Sequence, residues 1–247
     1  MAFIAAKNIS KRYVTGDVTV DALRGVDLEI ERGEFIAVTG ESGSGKSTLL
    51  ALLGGLDRPS SGGLVVDEID VYGLKGERLA DFRHEYLGFL FQSFQLIPYL
   101  TAAENVMLPL VISPMKSREK RAAAAHALER VGLAGKFDRL PHQLSGGEQE
   151  RVALARSIVN DPPVLLCDEP TGNLDSKTGE SVMRLLAELN REGITIIMVT
   201  HNLHHVHYAS RHVRLRDGLI VPEGEDVECV PGGEPAAEPE MATAQVA

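Results

Sequence analysis

The chain has 247 residues, 44% hydrophobic and 24% charged, with a formal net charge of −10. That composition is ordinary for a globular protein and excludes wholesale disorder. Seven of the acidic residues and none of the basic ones fall in 222–247, leaving 28 acidic against 25 basic residues, or −3, in the body, so neither part has the basic excess of a general nucleic-acid binder.

In chain order, AFIAA reaches Lys7 before a signal-peptide core of about 7–15 apolar residues can form. Strand patterns cover Ala2 to Ile9, Val26 to Ile30 and the run FIAVTG that ends at Gly40. KSTLLALLGG follows as a compact helix stopped by Gly54-Gly55. Strand, glycine loop and helix in that order open an α/β fold. From Thr101 to Val159 the patterns are helical, with no clear strand. The longest apolar run, VMLPLVI over 106–112, is far short of the ~20 residues of a membrane helix, and a soluble cytosolic chain is expected. SREKRAAAAHALERVG reads as a helix capped by Ser117, with Glu119 in its first turn and Gly132 as its stop. Strands return at VLLC (164–167) and TIIMVT (195–200), separated by the helical SKTGESVMRLLAELNREG. VRLRDGLIV is a hairpin turning at Asp217-Gly218. Residues 222–247, rich in Pro, Gly, Glu and Ala, read as a disordered tail. The two cysteines, Cys167 and Cys229, make no disulfide framework and suit a reducing compartment. The simplest architecture is a parallel α/β core interrupted by a helical insert.

GESGSGKS, spanning Gly40, Glu41, Ser42, Gly43, Ser44, Gly45, Lys46 and Ser47 and followed by Thr48, matches the phosphate-loop pattern in full. Phosphate oxygens need several N–H donors at close range. Glycines let the backbone approach, the helix N-terminus supplies unpaired N–H groups and Lys46 adds charge. The Ser47 hydroxyl suits Mg²⁺. VLLCDEP brings Asp168 and Glu169 to the C-terminal end of a strand, where open α/β sheets place their ligands. Asp168 can hold Mg²⁺ through water, and Glu169 can polarise a water for in-line attack on a γ-phosphate.

A second loop, LSGGEQE, raises a separate question. Ser145 and Glu148 have capping-box spacing, and Val152, Ala155 and Ile158-Val159 form an apolar face beyond them. The cap leaves Gly146-Gly147 unexplained. Each glycine costs up to about 1 kcal/mol relative to alanine inside a helix, less at its end. Close approach to a ligand is the usual compensation, and the exposed N–H groups would bind an anion.

LSGGEQ followed by RVALARSIV, then VLLCDEP and TGNLD, resembles the signature, Walker B and D-loop series of ATP-binding cassette (ABC) ATPases, and GESGSGKS resembles their Walker A. Tyr13 resembles the aromatic that stacks on adenine. Gln92, in FLFQSF, resembles the Q-loop glutamine that senses Mg²⁺ and attacking water. Asp175 resembles the D-loop aspartate, and His201 the switch histidine that contacts the γ-phosphate. The resemblance runs from about Lys7 to Val221. Cys167 stands where small or apolar residues are common, and Glu148 where glutamine often stands. The resemblance implies a P-loop NTPase (RecA-like) core with an N-terminal antiparallel β region and a helical insert subdomain over about 93–160. One ATPase domain would then cover 1–221, ahead of the acidic tail.

It also implies a head-to-tail homodimer, each ATP and Mg²⁺ held between Walker A of one subunit and Ser145, Gly146 and Gly147 of the other. Within the family, RYVTGDVTVDALRGVDLEI, LGFLFQSFQLIPYLTAAENVMLPL and TGNLDSKTG are most similar to the group of LolD, MacB and FtsE. That likeness implies an integral-membrane FtsX-like permease as partner, peripheral attachment at the cytoplasmic face of the inner membrane, and no nucleic acid. A soluble ABC-type ATPase acting on DNA or ribosomes would usually bring a long coiled coil, zinc-binding cysteines or a second cassette. A phosphate-loop kinase or GTPase would leave the signature, Gln92 and His201 unexplained.

Two stretches invite sharper readings than they support. HNLHHVHYASRH holds His201, His204, His205, His207 and His212, with His201 and His205 at i, i+4 spacing. No cysteine or carboxylate completes a metal set there, and a solvated helix is expected. The stripe from Gln92 to Leu110, with Phe94 and Tyr99, is read chiefly as core. The family resemblance makes part of it a surface for a membrane subunit.

Overall fold

A computed structural model describes residues 2–221; the disordered reading of 222–247 and the position of Cys229 fall outside the described residues. β1 (Ile4–Thr15) and β2 (Val18–Ile30) form a long antiparallel hairpin, longer than the two strand pieces expected from sequence. Its outer half, from Tyr13 through Val20, is solvent-exposed on both faces, so no buried face marks it. β3 (Phe35–Thr39) leads into α1 (Lys46–Leu53). β4 (Ser61–Val66), β5 (Ile69–Asp70), α2 (Glu77–Tyr86) and β6 (Leu87–Leu90) follow. Next come α3 (Ala102–Met107), α4 (Ser117–Arg130) and α5 (Gly146–Ile158), with no strand among them. The chain then runs through β7 (Val164–Asp168), α6 (Ser176–Arg191), β8 (Thr195–Thr200) and the hairpin β9 (Arg211–Arg216) and β10 (Leu219–Val221).

The strands make two sheets. One is antiparallel, in the order β2-β1-β4-β5; the other runs β10-β9-β3-β8-β7-β6. In the second, β9, β3, β8, β7 and β6 are parallel, and β10 closes one edge antiparallel to β9. Every residue of β3 and β8 is buried, as expected of parallel strands covered on both faces. Successive side chains go to opposite faces. Phe35, Ala37, Leu165, Cys167, Ile196 and Met198 join the core beneath α3–α6. Ile36, Val38, Val164, Leu166, Ile197 and Val199 join the core shared with α1 and the antiparallel sheet. The sequence thus places a parallel α/β core between a β layer and a helical layer.

Two expected details are corrected. Ser117 is the first residue of α4 and not its cap; Lys116 caps it, its N–H donating to Glu119 Oε2 at 2.7 Å. The histidine-dense stretch is not one α-helix, because only Leu203–Tyr208 coils, as a 3-10 turn, and His205 within it is buried. Among the described residues no group of three His, Cys, Asp or Glu could hold a metal ion. Gly132 does stop its helix in the left-handed region, at φ +75°. In the helical layer Asn105 is fully buried. Its Oδ1 accepts from Ile97 N–H at 2.8 Å, and its Nδ2 donates to the carbonyls of Ile97, Leu100 and Thr101. This one side chain fixes the turn that precedes α3.

α5 carries an ionisable residue into the core. Glu150 is 1% exposed, and its Oε1 has no partner among the described residues. Burial pushes its carboxyl up to about 8, against a smaller opposing pull from Arg156. Burial, and then the same Glu150, push the Cys167 thiol well above its ordinary range. A carboxyl raised in the folded state costs nothing below its ordinary value of 4.5. The cost accumulates as pH climbs from there toward the folded value, because the unfolded chain releases a proton that the native state keeps. At pH 7 this amounts to a penalty on the order of 3 kcal/mol. Glu150→Gln is therefore expected to stabilise the protein at pH 7, with the gain shrinking toward zero at pH 4.5, measured by urea unfolding at both values.

Candidate functional site

The site forms where three parallel strands end together. Thr39 pairs with Thr200, and Asp168 with Val199, so the connections after β3, β7 and β8 leave the sheet side by side. They enclose a cavity of about 840 Å³ whose wall includes Ser42, Gly43, Gly45, Lys46, Ser47, Thr48, Gln92, Glu169 and His201. Gly40, Glu41 and Ser44 line an adjoining cavity of about 650 Å³ that shares Ser42, Gly43 and His201 with the first.

The loop from Gly40 to Ser47 is held from behind. A Cβ at Gly40 would lie 2.1 Å from the Leu215 carbonyl oxygen, and one at Gly45 2.5 Å from that of Ala22. Gly45 also has φ +105°, in the left-handed region, and forms the N-cap of α1. Only glycine fits such contacts. Gly43 has φ +81° and open space around it, so its backbone angle alone calls for glycine there. Lys46 is buried, and its Nζ donates to the carbonyls of Gly40 and Glu41, both at 2.8 Å.

Ser47 Oγ donates to Asp168 Oδ1 at 3.2 Å. Burial raises the Asp168 carboxyl, and the neighbouring Glu169 adds to the rise, while Ser47 and Lys46 oppose it. Glu169 sits at φ +48°. Its N–H donates to the Val199 carbonyl at 3.0 Å, and its Oε2 meets His201 Nδ1 at 2.5 Å. Gln92 is exposed on the cavity wall, and its backbone carbonyl accepts from Asn173 Nδ2 at 2.8 Å.

Tyr13 lies apart from these groups. It pairs with Val20, which does line the cavity, but its own hydroxyl donates to Asp57 at 3.0 Å, and Lys11 Nζ sits 4.8 Å from its ring centre.

The second loop is elsewhere. Ser145 caps α5: its Oγ accepts from Glu148 N–H at 3.3 Å, and its N–H donates to Glu148 Oε2 at 2.8 Å. Those bonds, with Lys136 nearby, hold the Glu148 carboxyl below its ordinary range. Ser145, Gly146 and Gly147 contribute nothing to the wall of the main cavity. Asp175 caps α6, accepting from the N–H groups of Lys177 and Thr178, and lines a third cavity of about 380 Å³. The two glycines differ. A Cβ at Gly147 would lie 2.2 Å from Thr178 Cγ2, whereas one at Gly146 would meet nothing closer than 3.9 Å. Close approach does explain Gly147, but the group approached is the chain's own α6.

The sequence reading missed one wall of the cavity. Val20, Asp21, Ala22 and Arg24 of β2 line it, with the Asp217-Gly218 turn. That turn donates from Gly218 N–H to the Ser44 carbonyl at 3.0 Å and accepts from Arg24 N–H at 2.9 Å. The hairpin was legible as Asp-Gly between two strands, but its place beside the Gly40–Ser47 loop depends on sheet order.

Comparison with known proteins gives one consistent result. A family model described as ABC transporter matches residues 23–172. The lipoprotein-releasing system ATP-binding protein LolD of Syntrophotalea carbinolica is 48% identical over 220 residues, covering 89% of this chain and 97% of that protein. The macrolide export ATP-binding/permease protein MacB of Sodalis glossinidius is 46% identical over 89% of this chain, which matches 34% of that longer protein. Among solved structures, the dimeric post-hydrolysis state of the ATP-binding cassette MJ0796, bound to ADP and Pi, superposes with a TM-score of 0.81 at 43% identity, covering 88% of this chain and 96% of that one. MJ0796 is a protein of Methanocaldococcus jannaschii.

Gly146 and Gly147 give opposite expectations. Gly147→Ala should lower the melting temperature in the absence of nucleotide, and adding Thr178→Ser, which removes the clashing methyl but keeps the hydroxyl, should restore most of it. Gly146→Ala should leave stability within about 0.5 kcal/mol of the parent, since the change is at a helix end and the new methyl makes only ordinary contacts at 3.9 Å. Differential scanning calorimetry of the four proteins checks both.

Proposed function

This chain belongs to the ABC transporter family, and from that premise we propose that two copies close head to tail over two ATP molecules and drive a membrane partner. The chain is an ATP-binding, ATP-hydrolysing subunit of the kind found in LolD and MacB. Carrying the mechanism is the meeting, at one sheet edge, of a glycine loop, a Ser47–Asp168 pair and a Glu169–His201 pair.

The N–H groups of Gly43 to Thr48 and the Lys46 ammonium receive the phosphates, at the positive end of α1. Lys46 exchanges its two loop carbonyls for phosphate oxygens. Tyr13 serves the adenine by turning from Asp57. Ser47, Asp168 and Gln92 supply hard oxygen donors, the set that Mg²⁺ takes; the ion, when bound, neutralises charge on the phosphate oxygens. Glu169 is the general base. Its carboxylate takes a proton from water as the water oxygen bonds to the γ-phosphorus and the bond to the β-phosphate oxygen breaks, releasing ADP and phosphate. His201, held through Nδ1 by Glu169, directs its Nε2 to the γ-phosphate.

Ser145, Gly146, Gly147 and Asp175 act on the nucleotide of the other copy. Their separation from the main cavity within one chain supports that division. MJ0796, similar over nearly its whole length, is described as a dimer bound to ADP and Pi.

The membrane partner is an FtsX-like permease, and the chain attaches peripherally at the cytoplasmic face of the inner membrane, without nucleic acid. No helix among the described residues is long and apolar enough to cross a membrane. A groove of about 370 Å³, whose wall includes Leu56, Phe89, Phe91, Gln95, Pro109 and Arg156, is the docking surface. Arg156 of α5 donates to the carbonyls of Phe94 and Gln95 at 2.9 and 2.7 Å. That contact ties the Gln92 stretch to the helix that Ser145 begins, so motion at either is felt by the other. Residues 1–221 form one ATPase domain with a helical subdomain over about 93–160, followed by the acidic tail.

Positioned general bases contribute roughly 10²–10⁴-fold. Glu169→Gln should cut phosphate release by about that factor while ATP affinity stays normal; turnover at the parent rate would overturn the assignment. Ser145→Arg, placed in the Glu169→Gln background, should bind ATP as a monomer yet fail to dimerise with it, read by sedimentation velocity. Loss of monomer binding would refute the division of the site between two copies.

A further inference from the structure

The connections that leave β7 and β8 are crossed by two side-chain bridges. The outer one joins Glu169 Oε2 to His201 Nδ1 at 2.5 Å, with the His201 side chain 65% exposed. The inner one joins Thr171 Oγ1 to His205 Nδ1 at 3.0 Å, and both residues are buried. Thr171 follows Glu169 by two residues, and His205 follows His201 by four. With His201 largely open to solvent, the outer bond competes with water, whereas a buried one resists that exchange.

The surroundings are built to admit this imidazole. A buried polar ring is costly unless bonded, and a leucine would fill the volume without that cost. Gly179, inside α6, lies against both partners: a Cβ there would come 3.3 Å from Thr171 Cβ and 3.8 Å from His205 Cε1. A glycine inside a helix costs up to about 1 kcal/mol relative to alanine, so the space is not free. The turn that presents His205 is fixed at its start, where Asn202 N–H donates to Thr200 Oγ1 at 3.0 Å and Asn202 Oδ1 accepts from His204 N–H at 3.0 Å.

We propose that His205 is a positioning residue which, through Thr171, sets the spacing between the segment that carries His201 and the segment that carries Glu169. This rests on the roles given above to Glu169 and His201. The charged and titratable groups around the ring are Glu180 of α6, Asp175 at its cap, and His204 and His207 of the same turn. Glu180 is itself engaged by the Tyr208 hydroxyl and by Arg184 at 3.5 Å. Burial holds the His205 imidazole below its ordinary value of 6.5, with Glu180 opposing and His207 and His204 adding to the depression. The neutral ring is therefore the working form at pH 7, able to accept the Thr171 hydroxyl at Nδ1. A protonated ring only donates and brings charge into a buried place. For a depressed histidine the native advantage is present above 6.5 and is lost as pH falls from there toward the folded value.

The test is steady-state ATP hydrolysis by the full chain with two substitutions at 205. His205→Leu fills the volume without the bond; His205→Asn keeps a polar atom near the Nδ1 position and cannot titrate. One lost hydrogen bond of about 1 kcal/mol corresponds to a roughly fivefold drop in kcat. His205→Leu and Thr171→Val should each show that drop with KM for ATP unchanged, and the double variant should be no worse than either. His205→Asn should keep most of kcat and lose part of the fall in activity below pH 6.5. Thermal unfolding confirms that each variant is folded, and if His205→Leu is not, the Asn and Thr171→Val proteins carry the test. Parent kcat and pH profile in the folded variants, or additive losses in the double variant, would overturn the proposal. His201→Ala separates the two layers of inference. If it hydrolyses ATP normally, the reading of the site fails and this one with it; if it is inactive while the 205 variants behave as the parent, only this one fails.

Discussion

The site depends on the register of three parallel strands. β3, β8 and β7 pair so that Thr39 lies beside Thr200 and Asp168 beside Val199. Because these strands are buried on both faces, a slip of one residue would exchange the side chains that meet the helical layer for those that meet the β layer. Packing on two sides therefore fixes where the strands end, and the ends fix the chemistry. Glu169 extends the ladder one step beyond its strand through the bond to Val199 and then turns at φ +48° toward His201. A non-glycine residue in that region is strained by the order of 1 kcal/mol or more, a cost that the surrounding core sustains.

What could be read from the sequence was whatever repeats a local rule. The loop from Gly40 to Ser47, the strand that delivers Asp168 and Glu169, and the capping box at Ser145 each depend on neighbours within a few residues, and each stands where expected. β4, β5 and α2 left no such trace: α2 fully buries only Phe82 among its ten residues, with Leu79 and Tyr86 partly covered, so it shows no wide apolar stripe. Ser117 was off by one because Glu119 satisfies the N–H of Lys116 instead. The histidine-dense stretch was misread because His205 serves a partner, Thr171, on another connection. The fourth wall of the cavity, from β2 and the Asp217-Gly218 turn, follows from strand order, which no local pattern carries.

The glycines separate two arguments that sequence alone runs together. A glycine beside an anion site can be there for the anion or for the fold. Gly40, Gly45 and Gly147 are each demanded by contacts inside the chain, with Leu215, Ala22 and Thr178 respectively. Gly43 has no such neighbour, and a Cβ at Gly146 would only touch Leu174 and Phe94 at an ordinary 3.9 Å. The free pair is one from each loop, so a single residue in each remains whose smallness the fold does not already require for packing.

The turn at Asp217-Gly218 bears on how the protein is made. A ribosome delivers the loop at residues 40–47 early, yet Leu215 presses on Gly40, and Gly218 bonds both the Ser44 carbonyl and the Arg24 amide. The loop therefore lacks its rear support until the β9–β10 hairpin has emerged and β9 has paired with β3. A nascent chain cannot hold this loop in its finished shape while its sheet is still being synthesised.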